Sequence, residues 1–95
     1  MVVGVVTLDL YIPEAQSLKD KRSVVRRVVD RVRSRFSVSV AEVDHQDNHQ
    51  RATLGLAVVS NDSRVADSVL NKVVDFIENT YLAQITRVDL EILHV

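Results

Sequence analysis

One short segment of the sequence concentrates positive charge. Residues 19–35 hold eight of the twelve Lys and Arg residues and two acidic residues, a net charge of +6, whereas the rest of the chain carries −7. The guanidinium group of arginine forms paired hydrogen bonds with phosphate, so a row of such side chains can follow a nucleic-acid backbone. The segment therefore predicts an RNA-binding or phosphate-binding surface. Its predicted contacts are Lys19, Lys21, Arg22, Arg26 and Arg33.

Two other interpretations of the basic segment stay open. Its charge is partly neutralised by Asp20 and Asp30, so it could be a solvated helix face. It could also dock on an acidic partner protein, an interaction that salt would weaken in the same way as RNA binding. The net charge of the whole chain is −1, so only the local distribution of charge indicates a partner.

A second group of residues could bind a metal ion or transfer protons. It comprises Glu42, Asp44, His45, Asp47 and His49. Their spacing reproduces no known metal-ligand motif, and a polar hairpin turn accounts for it equally well. We therefore predict no metal site, no catalytic residue and no cofactor. The alternative is a homodimer that binds a small molecule or a metal, with Glu42, Asp44, His45 and His49 lining the site.

Several kinds of chemistry find no support in the sequence. There is no cysteine, which excludes disulfides, thiolate metal sites and cysteine nucleophiles. Gly4 and Gly55 stand alone within predicted strands, so there is no glycine-rich phosphate loop. These observations favour a binding module over an enzyme. The N-terminal residues have no basic leader, and no apolar run approaches the length of a membrane span, so we predict a cytoplasmic protein.

Hydrophobic periodicity predicts the elements that must position these residues. Apolar side chains alternate along residues 2–12, as in a strand, and recur every three or four residues from Leu18 to Phe36, as in a helix that begins at an N-cap, Ser17. Further strands are predicted at 37–44, 51–60 and 85–93, with a turn at 45–50 and a second helix from 62 to about 80. The pattern predicts one domain over residues 1–95, of the α+β class: a ferredoxin-like βαββαβ sandwich whose two helices cover one face of a four-stranded antiparallel sheet.

The face of this sheet that the helices leave open is predicted to be apolar. Its members are Val3, Val5, Thr7, Thr53, Gly55, Ala57 and Val59. A continuous apolar surface of this kind is unfavourable in water. We therefore predict a homodimer that forms through the sheet face or a strand edge.

Four stretches of the sequence resemble the YlxP-like family of small bacterial proteins, a domain of unknown function. They are V-x-L-x-L-x-I-P at 6–13, S-L-K-D-K-R at 17–22, F-S-V-S-V-A-E-V at 36–43 and Q-R-A-T-L-G at 50–55. The family commonly has Trp before the glutamine of the last stretch, where this chain has His49. No specific role is therefore assigned to the turn.

The resemblance implies a ferredoxin-like fold and no established catalytic residues. The genes of the family often lie beside genes for translation initiation and ribosome-maturation factors, which implies a role near the ribosome. This expectation agrees with the charge of residues 19–35. The function predicted is thus that of a non-enzymatic cytoplasmic factor that contacts ribosomal RNA or a ribosome-bound protein.

Overall fold

The computed structural model describes all residues from Met1 to Val95. Its elements are β1 (Val2–Tyr11), α1 (Leu18–Arg35), β2 (Ser39–Asp44), β3 (Arg51–Ser60), α2 (Ser63–Glu78) and β4 (Gln84–His94). The strands form one antiparallel sheet in the order β2-β3-β1-β4. The predicted ferredoxin-like βαββαβ order is confirmed, and element ends differ from the predicted ones by at most two residues.

Strand β1 occupies the centre of the sheet because it pairs with β3 on one side and β4 on the other. Its even-numbered side chains, such as Val6, Leu8 and Leu10, are buried beneath the helices. Its odd-numbered side chains lie on the open face and are half-buried or exposed. The alternation in sequence therefore corresponds to the two faces of the sheet, as expected for an antiparallel sheet that is covered on one side.

Helix α1 begins at its predicted N-cap, Ser17, and α2 begins at the N-cap Asp62. The Ser17 hydroxyl accepts a hydrogen bond from the backbone N–H of Asp20 at 3.1 Å, and the Asp62 carboxylate accepts one from Arg64 N–H at 2.8 Å. The Asp20 carboxylate in turn accepts from Gln16 N–H at 3.0 Å, one residue before the cap. These bonds occupy backbone donors that have no partner within the helix.

The helices pack closely on the sheet through valine and leucine. Helix α1 buries Val25, Val28, Val29 and Val32, and α2 buries Ala66, Leu70, Val73 and Ile77. Gly4 allows the close approach of α2 to β1, because a Cβ atom there would lie 2.8 Å from Leu70 Cδ1. Neither helix has the length and apolar character needed to cross a membrane.

Strand β4 lies at an edge of the sheet and is only partly covered. Val88, Leu90 and Ile92 are opposite Leu8, Val6 and Gly4 of β1, so they face the helices as predicted. Val88 nevertheless remains 45% exposed. Since β4 is an edge strand, it lies at the margin of the surface that the two helices cover.

Candidate RNA-binding surface and the adjoining turn

Helix α1 presents most of its basic side chains to solvent. At 3.6 residues per turn, Lys19, Arg22, Arg26 and Arg33 fall within an arc of about 60° along the helix. All four are exposed, and none has an acidic partner within 4.0 Å. We call these four residues the basic face. The structure thus brings together four of the five predicted phosphate contacts.

The fifth predicted contact, Lys21, does not lie on this surface. Its side chain is fully buried, and its ammonium group lies 2.6 Å from Glu42 Oε2. The ammonium also donates to the carbonyl oxygens of His45 at 3.0 Å and Gln46 at 3.4 Å. A buried charge requires partners of this kind, and once they are in place it cannot contact RNA. The assignment of Lys21 as a phosphate contact is corrected accordingly.

A signal for the burial of Lys21 is present in the sequence. Lys21 precedes Val25, Val28 and Val32 at spacings of four, seven and eleven residues, which places it in the same helical stripe as the core valines. The stripe faces the sheet, where Glu42 extends from β2. Lys21 therefore joins α1 to β2 and to the first residues of the turn.

A second row of arginines follows the side of α1 that is nearer to α2. It consists of Arg27, Arg31 and Arg35, spaced four residues apart. The Arg35 guanidinium lies over the Phe76 ring of α2 at 5.1 Å from the ring centroid, a cation–π contact. On the opposite side, Arg33 Nη2 donates to the carbonyl oxygen of Val40 in β2 at 2.9 Å. The basic face and this second row together make a broad exposed surface along α1.

A cleft of about 520 Å³ lies where the beginning of α1 approaches the loop between α2 and β4. Arg27 and Val24 of α1 line one side, and Tyr81 and Leu82 line the other. The Tyr81 side chain is 87% exposed. Its backbone adopts a φ of 55°, in the left-handed region that aromatic residues seldom occupy. We call this feature the tyrosine cleft.

The structure disperses the second predicted group, in the turn and the preceding strand. Glu42 binds Lys21, and Asp44 Oδ1 accepts from the backbone N–H of His45 at 2.7 Å. His45, Asp47 and His49 line a second cleft, of about 660 Å³, separate from the tyrosine cleft. Glu42 and Asp44 do not line it. No three acidic or histidine side chains lie close enough together to hold a metal ion.

A chain of hydrogen bonds orients His45 on the open face of the sheet. Thr53 Oγ1 donates its only hydrogen to Asp9 Oδ1 at 2.9 Å, and His45 Nδ1 lies 2.9 Å from Thr53 Oγ1. Thr53 must therefore accept a hydrogen bond from His45, so Nδ1 carries the proton. In the neutral ring, Nε2 is then free to accept a hydrogen bond. The sequence offered no indication of this chain, because its members come from β1, β3 and the turn.

On the open face, the residues of β3 and of the first half of β1 are mostly small or apolar. Strand β4 instead contributes charged side chains there, Arg87, Asp89 and Glu91, opposite odd-numbered residues of β1. Val59 is 66% exposed and Leu93 39% exposed, while Val3 and Val5 are half-buried. Thr53 differs from the prediction: it is buried, in keeping with its hydrogen bond to His45. Homodimerisation through this face stays a prediction.

The comparisons with known proteins agree with the fold and identify the family. Residues 3–90 match the family model described as "Protein of unknown function (DUF503)". The uncharacterized protein YlxP of Bacillus subtilis (strain 168) is 36% identical over 78 residues, which cover 82% of this chain and 85% of that protein.

Two designed proteins of known structure have a similar fold. Foldit4 superposes with a TM-score of 0.55 at 14% identity, with coverage of 100% of this chain and 99% of that one. The designed protein LFR1 1, described as having a ferredoxin fold, gives 0.54 at 15% identity, with coverage of 98% and 83%. These identities are too low to indicate more than the fold. The family match and the YlxP relative confirm the resemblance found in the sequence, and the chain belongs to the DUF503 family of YlxP-like proteins.

Proposed function

We propose that this protein binds RNA through the basic face of α1 and acts as a non-enzymatic factor at the ribosome. The observation that carries the proposal is the absence of ion pairs among the exposed basic side chains of α1. Seven of its eight basic side chains are exposed without an acidic partner within 4.0 Å, and only Lys21 is paired. A solvated helix face has no need for such an excess of unpaired positive charge, whereas a polyanion would neutralise it.

The shape of the surface supports RNA over an acidic protein. The basic face runs along α1 for four turns, and Arg27, Arg31 and Arg35 extend it laterally. Arginine outnumbers lysine in both rows, and its planar group suits paired contacts with phosphate oxygens. A phosphate backbone supplies regularly spaced charges along such a row.

The test measures binding to small ribosomal subunits and to a single-stranded RNA at two salt concentrations. With about four phosphate contacts, the affinity for a single strand should fall roughly 50-fold between about 50 and 200 mM salt. Replacing Lys19, Arg22 and Arg26 with Gln should remove most of the affinity and lower the salt dependence. This set spares Arg33, whose bond to Val40 also supports the fold.

A matched control removes the same number of charges elsewhere. Arg51, Arg64 and Lys72 are exposed, have no ion pair and lie outside α1. Their replacement with Gln should leave RNA affinity within about twofold, because these residues do not form one row. Equal losses in the two triple variants would mean that total charge, and not the basic face, governs binding. Binding that survives nuclease treatment of the subunits would favour an acidic protein partner.

We propose small-molecule binding in the cleft of about 660 Å³ as a second candidate function. The observation in its favour is the Asp9–Thr53–His45 chain, which orients the His45 ring in the same cleft as the exposed Arg51. A screen of phosphorylated metabolites by thermal shift tests it. A stabilising compound whose effect disappears in His45→Gln and persists in His49→Gln would support this function, and no stabilisation by any compound would reject it.

A further inference from the structure

We propose that the tyrosine cleft binds an unpaired base of the RNA, with Tyr81 stacking on the base. This inference rests on the proposed function, because the basic face would hold the phosphate backbone next to the cleft. It adds a preference for unpaired nucleotides, which phosphate contacts alone do not provide. Unpaired bases are commonly recognised by stacking on aromatic side chains beside a basic groove.

Tyr81 carries the inference because the fold makes no use of its side chain. The ring is 87% exposed, although aromatic rings contribute most to stability when they are buried. The backbone there is in the left-handed region, with a φ of 55°, which is unfavourable for a residue with a large side chain. An exposed ring on a strained backbone contributes nothing to packing, so a binding partner is the simplest reason for its position.

Hydrogen bonds on both sides of Tyr81 fix the loop that presents it. Thr80 Oγ1 donates to the carbonyl oxygen of Ile77 at 2.6 Å and lies 3.4 Å from the backbone nitrogen of Leu82. The backbone N–H of Tyr81 lies 3.4 Å from the carbonyl oxygen of Glu78. The backbone of Tyr81 is therefore held in place beside the cleft, which lowers the backbone entropy lost on binding.

The lining of the cleft suits a base and not a phosphate group. Half of its residues are hydrophobic, including Ile12, Val24 and Leu82. Glu14 and Asp20 also line it, and these carboxylates would repel phosphate but can accept hydrogen bonds from the amino groups of a base. Arg27 is the basic residue of the lining, and it belongs to the second row of arginines on α1, so that row adjoins the cleft.

The test compares two labelled oligomers of equal length, an oligoadenylate and an abasic ribose-phosphate chain. Both offer the same phosphates, but only the first offers bases. We expect the oligoadenylate to bind about tenfold more tightly by fluorescence anisotropy. In Tyr81→Ala the two oligomers should bind equally, whereas Tyr81→Phe should keep most of the difference because it keeps the ring.

A direct signature comes from the aromatic content of the chain. There are two tyrosines and no tryptophan, so Tyr11→Phe leaves Tyr81 as the only tyrosine. Stacking should shift the Tyr81 ring-proton resonances upfield when oligoadenylate is added, and the abasic oligomer should not shift them. Tight binding of both oligomers with equal affinity would overturn this inference and leave the basic face intact as the RNA-binding surface. Binding of neither oligomer at low salt would overturn the proposed function together with this inference.

Discussion

Two regions of α1 carry the same kind of side chain in opposite environments. On the basic face, Lys19 and its neighbouring arginines are exposed and have no acidic partner. Two residues further along the chain, Lys21 is fully buried and makes an ion pair and two hydrogen bonds. The basic side chains of this helix thus occupy two environments, and the position of each residue around the helix axis determines whether it is exposed or buried.

The contrast explains how one helix can be both a structural element and the proposed RNA-binding surface. The buried ammonium joins α1 to β2 and to the turn, so it fixes where the helix lies on the sheet. The exposed groups are then held in a constant arrangement, and among the basic face only Arg33 also makes a contact with the sheet. The predictions below separate these two contributions, from the largest expected effect to the smallest.

Replacing Lys21 with Met should lower the free energy of unfolding by about 3 kcal/mol, because Glu42 and two carbonyl oxygens lose their buried partner. Chemical denaturation measures this loss. The matched variant Lys19→Met changes the same residue type on the exposed side of the helix and should stay within about 0.5 kcal/mol of the unmodified protein. Similar losses in the two variants would contradict the distinction between the regions.

Replacing Glu42 with Met in the Lys21→Met background should restore about 2 kcal/mol, since a hydrophobic pair no longer leaves a carboxylate without its partner. The restoration should be incomplete, because the His45 and Gln46 carbonyl oxygens still lack a donor. The measurement is a double-mutant cycle by urea unfolding. A double variant no more stable than Lys21→Met would show that the ion pair is not the main stabilising contact.

Replacing Thr53 with Val should lower the free energy of unfolding by about 1 kcal/mol, because a buried hydroxyl that bonds to Asp9 is lost at nearly constant volume. It should also release the His45 ring, which would appear as a change in its imidazole NMR signals. Thr7→Val is the control, since Thr7 is exposed on the same face and makes no side-chain hydrogen bond. An unchanged His45 signal in Thr53→Val would show that other contacts orient the ring.

The smallest effect is expected for Arg26→Gln, which removes a charge from the middle of the basic face. Its unfolding free energy should stay within about 0.5 kcal/mol of the unmodified protein, while RNA affinity should fall measurably. A clear loss of stability would mean that Arg26 has a structural contact, and the basic face would then have to be reconsidered.

Local patterns predicted the fold because each element is encoded by neighbouring residues. The alternation in β1 depends on side chains two positions apart, and the cap of α1 depends on Ser17 and Asp20. Features that join distant segments were not predicted. The partner of Lys21 lies 21 residues away, so a count of charge along the sequence assigned this lysine to the exposed surface.

The same limit applies to the candidate sites. The residues of the basic face were predicted, since all four lie within a single 15-residue segment of one helix. The tyrosine cleft and the Asp9–Thr53–His45 chain each combine side chains from separate elements, and only tertiary structure brings them together. The left-handed backbone at Tyr81 was not predicted either, because an aromatic residue gives no reason to expect a positive φ.

The position of β1 between β3 and β4 has a consequence for folding during synthesis. Val2 of β1 is opposite His94 of β4, so one side of the central strand stays unpaired until the last strand of the sheet has left the ribosome. Contacts between such distant segments form slowly, because a long loop must close first. A β1–β3 pair that formed before β4 was available would present a free strand edge, and pairing with β4 covers that edge.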